Sequence, residues 1–177
     1  MKQLSKLSFH ALVLALVFTG VAAHAGGFGN NIAVRLVGTS ELFIGDELFE
    51  DFGLEPKGAL CYDVDLVNVR NGKIIGSATD CLTDIDAESG APGVALTGTT
   101  FFFFRGGTVV TRGLTTVQPV LHGSPDFTHI TGAIPQEGDN NVIYGDRKFK
   151  HVRGTARLSG AVNLVNFPDE ITFDCAF

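Results

Sequence analysis

Tyr62 and Asp80 are the residues whose types and spacing point most directly to chemistry. They flank the turn Arg70-Asn71-Gly72 almost symmetrically. Asn-Gly between apolar runs is a strong hairpin signal. A three-residue loop with Gly72 left-handed makes facing positions sum to 142, so Tyr62 faces Asp80 and Cys61 faces Cys81. A one-residue slip would send the two sulfurs to opposite sheet faces, so register and disulfide support each other. The face carrying Leu60, Tyr62, Val64, Leu66, Ala78 and Leu82 is mostly apolar and should point inward. Asp80 would then be a desolvated carboxyl with a raised pKa, able to act as a general acid or to orient a polar intermediate. The bland alternative is a structural hydrogen bond. The opposite face, with Asp63, Asp65, Ser77 and Thr79, should meet solvent and take the disulfide with it. Such a crosslink would contribute about 3 kcal/mol.

Other groups are less directive. Arg112 shares a face with Val110 and Leu114, and it enters the interior only if they do; Arg35 poses the same question beside Ala33 and Val37. Cys175 is read as a buried free thiol, with pairing to Cys61 or Cys81 as the alternative. Asp84, Asp86 and Glu88, and the acids from Glu41 to Glu55, match no calcium-loop spacing, and His122, His129 and His151 form no zinc signature. No metal and no cofactor is therefore expected. No phosphate-cradling glycine loop precedes a helix.

The elements that must position these groups are strands. After Gly26 no run shows helical periodicity, whereas β-branched and aromatic residues alternate with polar ones between glycine turns. Expected strands cover residues 31–37, 58–69, 73–84, 99–105, 108–118, 127–134, 141–144, 154–166 and 170–177, with a short one in 40–44. Residues 45–56 and 87–93 read as loops. The fold class is all-β: a closed antiparallel β-barrel of about eight strands. Phe101 to Phe104 place two rings on each face. The outer pair packs either beneath a loop or the N-terminal arm, or against another subunit.

Residues 1–25 read as a signal peptide. Lys2 and Lys6 precede the apolar run Ala11–Phe18, and Ala23-His24-Ala25 fits a cleavage site. Cleavage would leave one domain, residues 26–177, and would move the formal charge from −6 to −8 by removing two lysines. An acidic balance argues against nucleic acid and anionic membranes as partners. No segment is long enough for a membrane span. The expected location is secreted or periplasmic.

Several motifs occur in a telling order: Gly45-Asp46-Glu47-Leu48-Phe49, Gly58-Ala59-Leu60-Cys61, Asp80-Cys81, Phe101–Phe104 with Gly106-Gly107-Thr108, Gly113, and Ile130-Thr131-Gly132. The stretch Gly145 to Gly154 then looks like a Gly-x-Gly-x-Phe/Tyr-x-x-x-x-Gly element, departing from it at Asp146-Arg147. Across residues 40–165 the chain resembles the allene oxide cyclase and dirigent barrel superfamily, above all small secreted bacterial members. The resemblance implies a barrel with a cavity, often assembled as a dimer or trimer. In plant relatives that cavity holds an apolar intermediate and steers its cyclisation or coupling without a cofactor. The expectation is an exported barrel that binds an apolar small molecule and steers its cyclisation or isomerisation. Tyr62 and Asp80 are the candidate catalytic pair, and Arg112, Leu60, Leu82, Phe101 and Phe103 the candidate ligand contacts. The alternative is a non-enzymatic binding or oligomer-forming protein.

Overall fold

The computed structural model describes residues 33–38, 41–55, 58–86, 93–118, 127–136, 138–163 and 171–176. The proposed leader, His122, Glu88 and the side chain of Cys175 lie outside what is described. Among the described residues, ten strands form one antiparallel sheet: β1 (Ala33–Gly38), β2 (Phe43–Ile44), β3 (Leu60–Asn68), β4 (Ile74–Asp86), β5 (Val94–Phe104), β6 (Gly107–Gln118), β7 (Phe127–Ile134), β8 (Val142–Gly145), β9 (Arg157–Asn163) and β10 (Ile171–Ala176). Their order is β1-β10-β9-β7-β6-β5-β4-β3-β2. β1 also pairs with β3, so the sheet is strongly curled.

The expected full closure is corrected at β8, where the curled sheet is open. The first half of β6 pairs with β8 and the second half with β7, and β8 has no second strand partner among the described residues. Asn141 spans this interruption. Its side-chain amide donates to the carbonyls of Ala133 and Ala156, and its Oδ1 accepts the Ala156 N–H at 2.7 Å. Its carbonyl accepts the Arg112 N–H at 2.9 Å. One asparagine thus satisfies backbone groups that a strand ladder would otherwise have paired.

The hairpin register from Leu60↔Leu82 to Leu66↔Gly76 is the expected one. Gly72 is left-handed, at φ +68°. The tip differs: a bulge makes Val67 face Ile74, and the Asn68 N–H bonds the Lys73 carbonyl, so Asn68 rather than Val69 faces Lys73. Side-chain caps on this turn explain the longer loop, because Asn68 Oδ1 accepts the Arg70 N–H and Asn71 Oδ1 accepts the Lys73 N–H.

The concave face holds the main core, with Val34, Leu36, Tyr62, Val64, Leu66, Ala78, Phe102, Val109, Ala156 and Leu158 all buried. A second apolar cluster lies on the convex face, and it overturns two expectations. Residues 45–56 are not all loop: Asp46–Asp51 form a short helix, α1. Nor does the disulfide meet solvent. Cys61 and Cys81 are bonded and fully buried with Phe49, Ala59, Phe101 and Val110. The physical reason is that α1 covers that face. Its Phe49 ring meets Phe101 edge-on at 5.3 Å, and Phe52 reaches Phe101, Phe103 and Tyr144.

Gly45, which leads into α1, is there for space rather than for backbone freedom, since its φ is −104°. A Cβ on Gly45 would stand 2.2 Å from Cys61 Sγ. Gly45→Ala should therefore destabilise the protein by about 1–3 kcal/mol through overpacking. Urea denaturation of the oxidised protein measures this, and an unchanged midpoint would contradict the close seating of α1 on the disulfide.

Candidate functional site

Register builds the site. β3 places Tyr62 opposite Asp80 on β4, Asp80 faces Thr100 on β5, and Thr100 faces Thr111 on β6. All four lie on the concave face at one level, and all are buried. Val64, Ala78, Phe102 and Val109 fill the next level toward one end of the strands. Leu60 and Leu82, on the other side of the row, are only half-buried and form a rim.

Asp80 is held through both oxygens. Tyr62 Oη donates to Oδ2 at 2.7 Å, and Thr100 Oγ1 donates to Oδ1 at 2.7 Å. Burial lifts the carboxyl above its ordinary pKa, outweighing the lowering hydrogen bonds from Thr100, Tyr62 and the Cys81 N–H. Burial, then the Asp80 charge and its hydrogen bond, lift the Tyr62 phenol well above its ordinary value. The phenol therefore stays protonated at neutral pH and serves as a fixed donor. The cluster can anchor a polar atom in apolar surroundings or hold a proton there.

Tyr62 and Asp80 are the pair the hairpin register brings together, and Leu60 and Leu82 share their face. Three other candidates do not join them. Phe101 and Phe103 lie on the opposite face, packed with α1, because odd-numbered positions of β5 point outward when Thr100 points inward. It is Phe102 and Phe104 that turn toward the interior, their rings stacked at 6.1 Å. Arg112 aligns with Thr99 and follows Val110, which packs in the outer cluster, so Arg112 is also on the convex face. Arg35 is exposed and paired with Asp174 at 2.8 Å.

Thr100 and Asn141 were missed as site and closure residues. Thr100 could have been found by extending the hairpin register one strand further. Asn141 carried no comparable signal. Among the described residues, no three His, Cys, Asp or Glu side chains gather as metal ligands. Two clefts, of about 400 and about 430 Å³, lie elsewhere on the surface, and neither is lined by Tyr62 or Asp80. No helix among the described residues is long and apolar enough to cross a membrane.

The glycine element is partly explained by geometry. A Cβ at Gly145 would meet the Phe149 carbonyl oxygen at 2.2 Å, and Phe149 packs against Phe104 at 5.3 Å. Arg147 occupies the position of the motif's second glycine and has φ +45°, a conformation that glycine adopts more readily.

These features define a curled antiparallel sheet with an apolar concave face and one buried Tyr-Asp-Thr cluster. No known family, curated protein or solved structure matches the chain.

Proposed function

We propose that this is an exported barrel-type binding protein whose apolar interior takes an apolar small molecule, with Tyr62 and Asp80 as its polar handle. The observation that carries the reading is the buried Tyr62–Asp80–Thr100 cluster within an otherwise apolar wall. Specificity in such sites comes from a few fixed polar groups among apolar ones. The half-buried rim of Leu60 and Leu82 is the side from which a ligand would approach. The barrel-like curl of the sheet rests on β1, which pairs with β10 on one edge and β3 on the other. Export rests on residues 1–25 and on a disulfide suited to an oxidising compartment. The resemblance to allene oxide cyclases and dirigent proteins supports the same interior use, and it extends the proposal to cofactor-free steering of a cyclisation or isomerisation by shape and orientation. The alternative, a subunit assembled through outward phenylalanines, loses its motivating patch because α1 covers Phe101 and Phe103.

Native mass spectrometry of the protein as its own source exports it should show a co-purifying apolar compound. The fluorescent probe 1-anilinonaphthalene-8-sulfonate should bind the folded protein and be displaced by that compound. Tyr62→Phe should weaken the compound's binding roughly tenfold, the value of one hydrogen bond involving a charged group. No co-purifying compound, together with no probe binding below the unfolding transition, would reject the reading. Unchanged affinity in Tyr62→Phe would remove the handle.

A further inference from the structure

From the distribution of cations we infer that one end of this acidic protein docks on an anionic lipid surface. Gly76 faces Phe104, and Phe104 faces Gly107, so the β3–β4 turn and the β5–β6 turn lie at the same end of the sheet. The first turn carries Arg70 and Lys73, and the second carries Arg105. A 3-10 turn over Arg147–Phe149 is seated on the second, its Lys148 N–H bonded to the Gly106 carbonyl at 3.2 Å. That turn and its exit add Arg147, Lys148 and Lys150. Six of the chain's thirteen lysines and arginines are thus gathered at one end. All six are exposed, and none makes an ion pair among the described residues. The acidic balance that argues against an anionic membrane is an average over the chain, and it conceals this end.

Two carboxylates near this end are engaged. Asp146 accepts the Thr108 N–H, and Asp174 pairs with Arg35. Asp65 lies level with Ser77 and Phe103, three positions back from the Asn68–Lys73 pair, about 10 Å at strand rise. The acids of α1 lie on the convex face, and the far end of that helix approaches this end of the sheet, where Phe52 meets Phe103 and Tyr144. Charges beyond the ~8 Å physiological Debye length are largely screened. A surface touching the two turns meets their cations first, with Asp65 and the acids of α1 set behind them on the convex face, although the chain's formal charge is −6.

The apolar residues select a lipid surface over a soluble polyanion. Val69 and Ile74 flank the cationic turn and are 46% and 63% exposed. A cleft of about 430 Å³ beside β8 leads up the sheet from Lys150 to Arg153 and is lined by Ile143 and Tyr144, 44% and 38% exposed. Cations interleaved with exposed aliphatic and aromatic side chains suit a phosphate headgroup layer with hydrocarbon beneath it. A sulfated or phosphorylated chain would use only the cations.

The test is co-sedimentation of the exported protein with phosphatidylcholine vesicles, with and without phosphatidylglycerol. Binding should require phosphatidylglycerol and fall with added salt. Lys73→Gln, Lys148→Gln and Lys150→Gln should each weaken it roughly fivefold, the effect expected of one cation near such a surface. Ile74→Ser should weaken it while leaving the salt dependence intact. Glu47→Gln on α1 is the control and should change nothing. Failure to bind phosphatidylglycerol vesicles would overturn the inference. So would binding undiminished by the lysine changes, or retention on dextran sulfate with none on vesicles.

Discussion

Phe49→Ala should cost about 3–5 kcal/mol, the range for removing a large buried aromatic. The ring is fully buried and meets Phe101 edge-on at 5.3 Å. Its loss should reach beyond its own volume, because α1 has only six residues and no side-chain cap at Gly45. A helix that short does not persist in water by itself. Besides packing, it is tied by Asp46 Oδ1, which accepts the Ala59 N–H at 3.1 Å. Freeing α1 would uncover the disulfide it now buries, so Phe49→Ala should also make Cys61–Cys81 reducible by mild thiols in the folded protein. Guanidinium denaturation and the rate of thiol release read the two effects separately. Glu47→Ala, on the exposed side of α1, should move stability by less than about 0.5 kcal/mol. Wild-type stability in Phe49→Ala would show that α1 is not held by this contact.

That helix also marks where the sequence stopped being legible. The hairpin around Asn71 was readable because strand alternation has period two and a turn fixes register, so one glycine and two cysteines sufficed to place Tyr62 beside Asp80. The same alternation left sidedness to be argued from polarity, and polarity misled. Asp63 and Asp65 suggested a wet outer face, yet Cys61 and Cys81 on that face are dry. Six helical residues span fewer than two turns, too few to display a 3.6-residue period, and the acids of Asp46–Asp51 look like a solvated loop. Only Phe49 and Phe52 betray the cover, and they read as an isolated apolar pair until Phe101 and Phe103 are known to need one. The cationic end was visible in Arg147 to Lys150 but was averaged away by net charge. Its other members, Arg70, Lys73 and Arg105, join it only through the fold.

Asp80→Ala should destabilise the protein by about 2–5 kcal/mol, whereas Asp80→Asn should be far milder. Alanine leaves the Tyr62 and Thr100 hydroxyls without their acceptor in a buried site, and each orphaned group costs about 1–3 kcal/mol. Asparagine keeps one acceptor oxygen, and its amide can donate to whichever hydroxyl turns to accept. The contrast should itself depend on pH. The folded-state pKa of Asp80 is raised, so the folded protein holds this proton more tightly than the unfolded chain. Its contribution to stability is therefore full below the unfolded value of about 3.9, and it is lost as pH rises through the folded value. This is opposite in sign to an ordinary salt-bridged aspartate. Since asparagine does not titrate, the stability of Asp80→Asn relative to wild type should climb from about pH 4 upward and level off above the folded pKa. Taking that difference removes the contribution of every other carboxylate common to both proteins. Parallel urea titrations across that range measure it. A flat difference would mean that Asp80 titrates alike in both states, and the desolvated carboxyl on which the proposed handle depends would be lost with it.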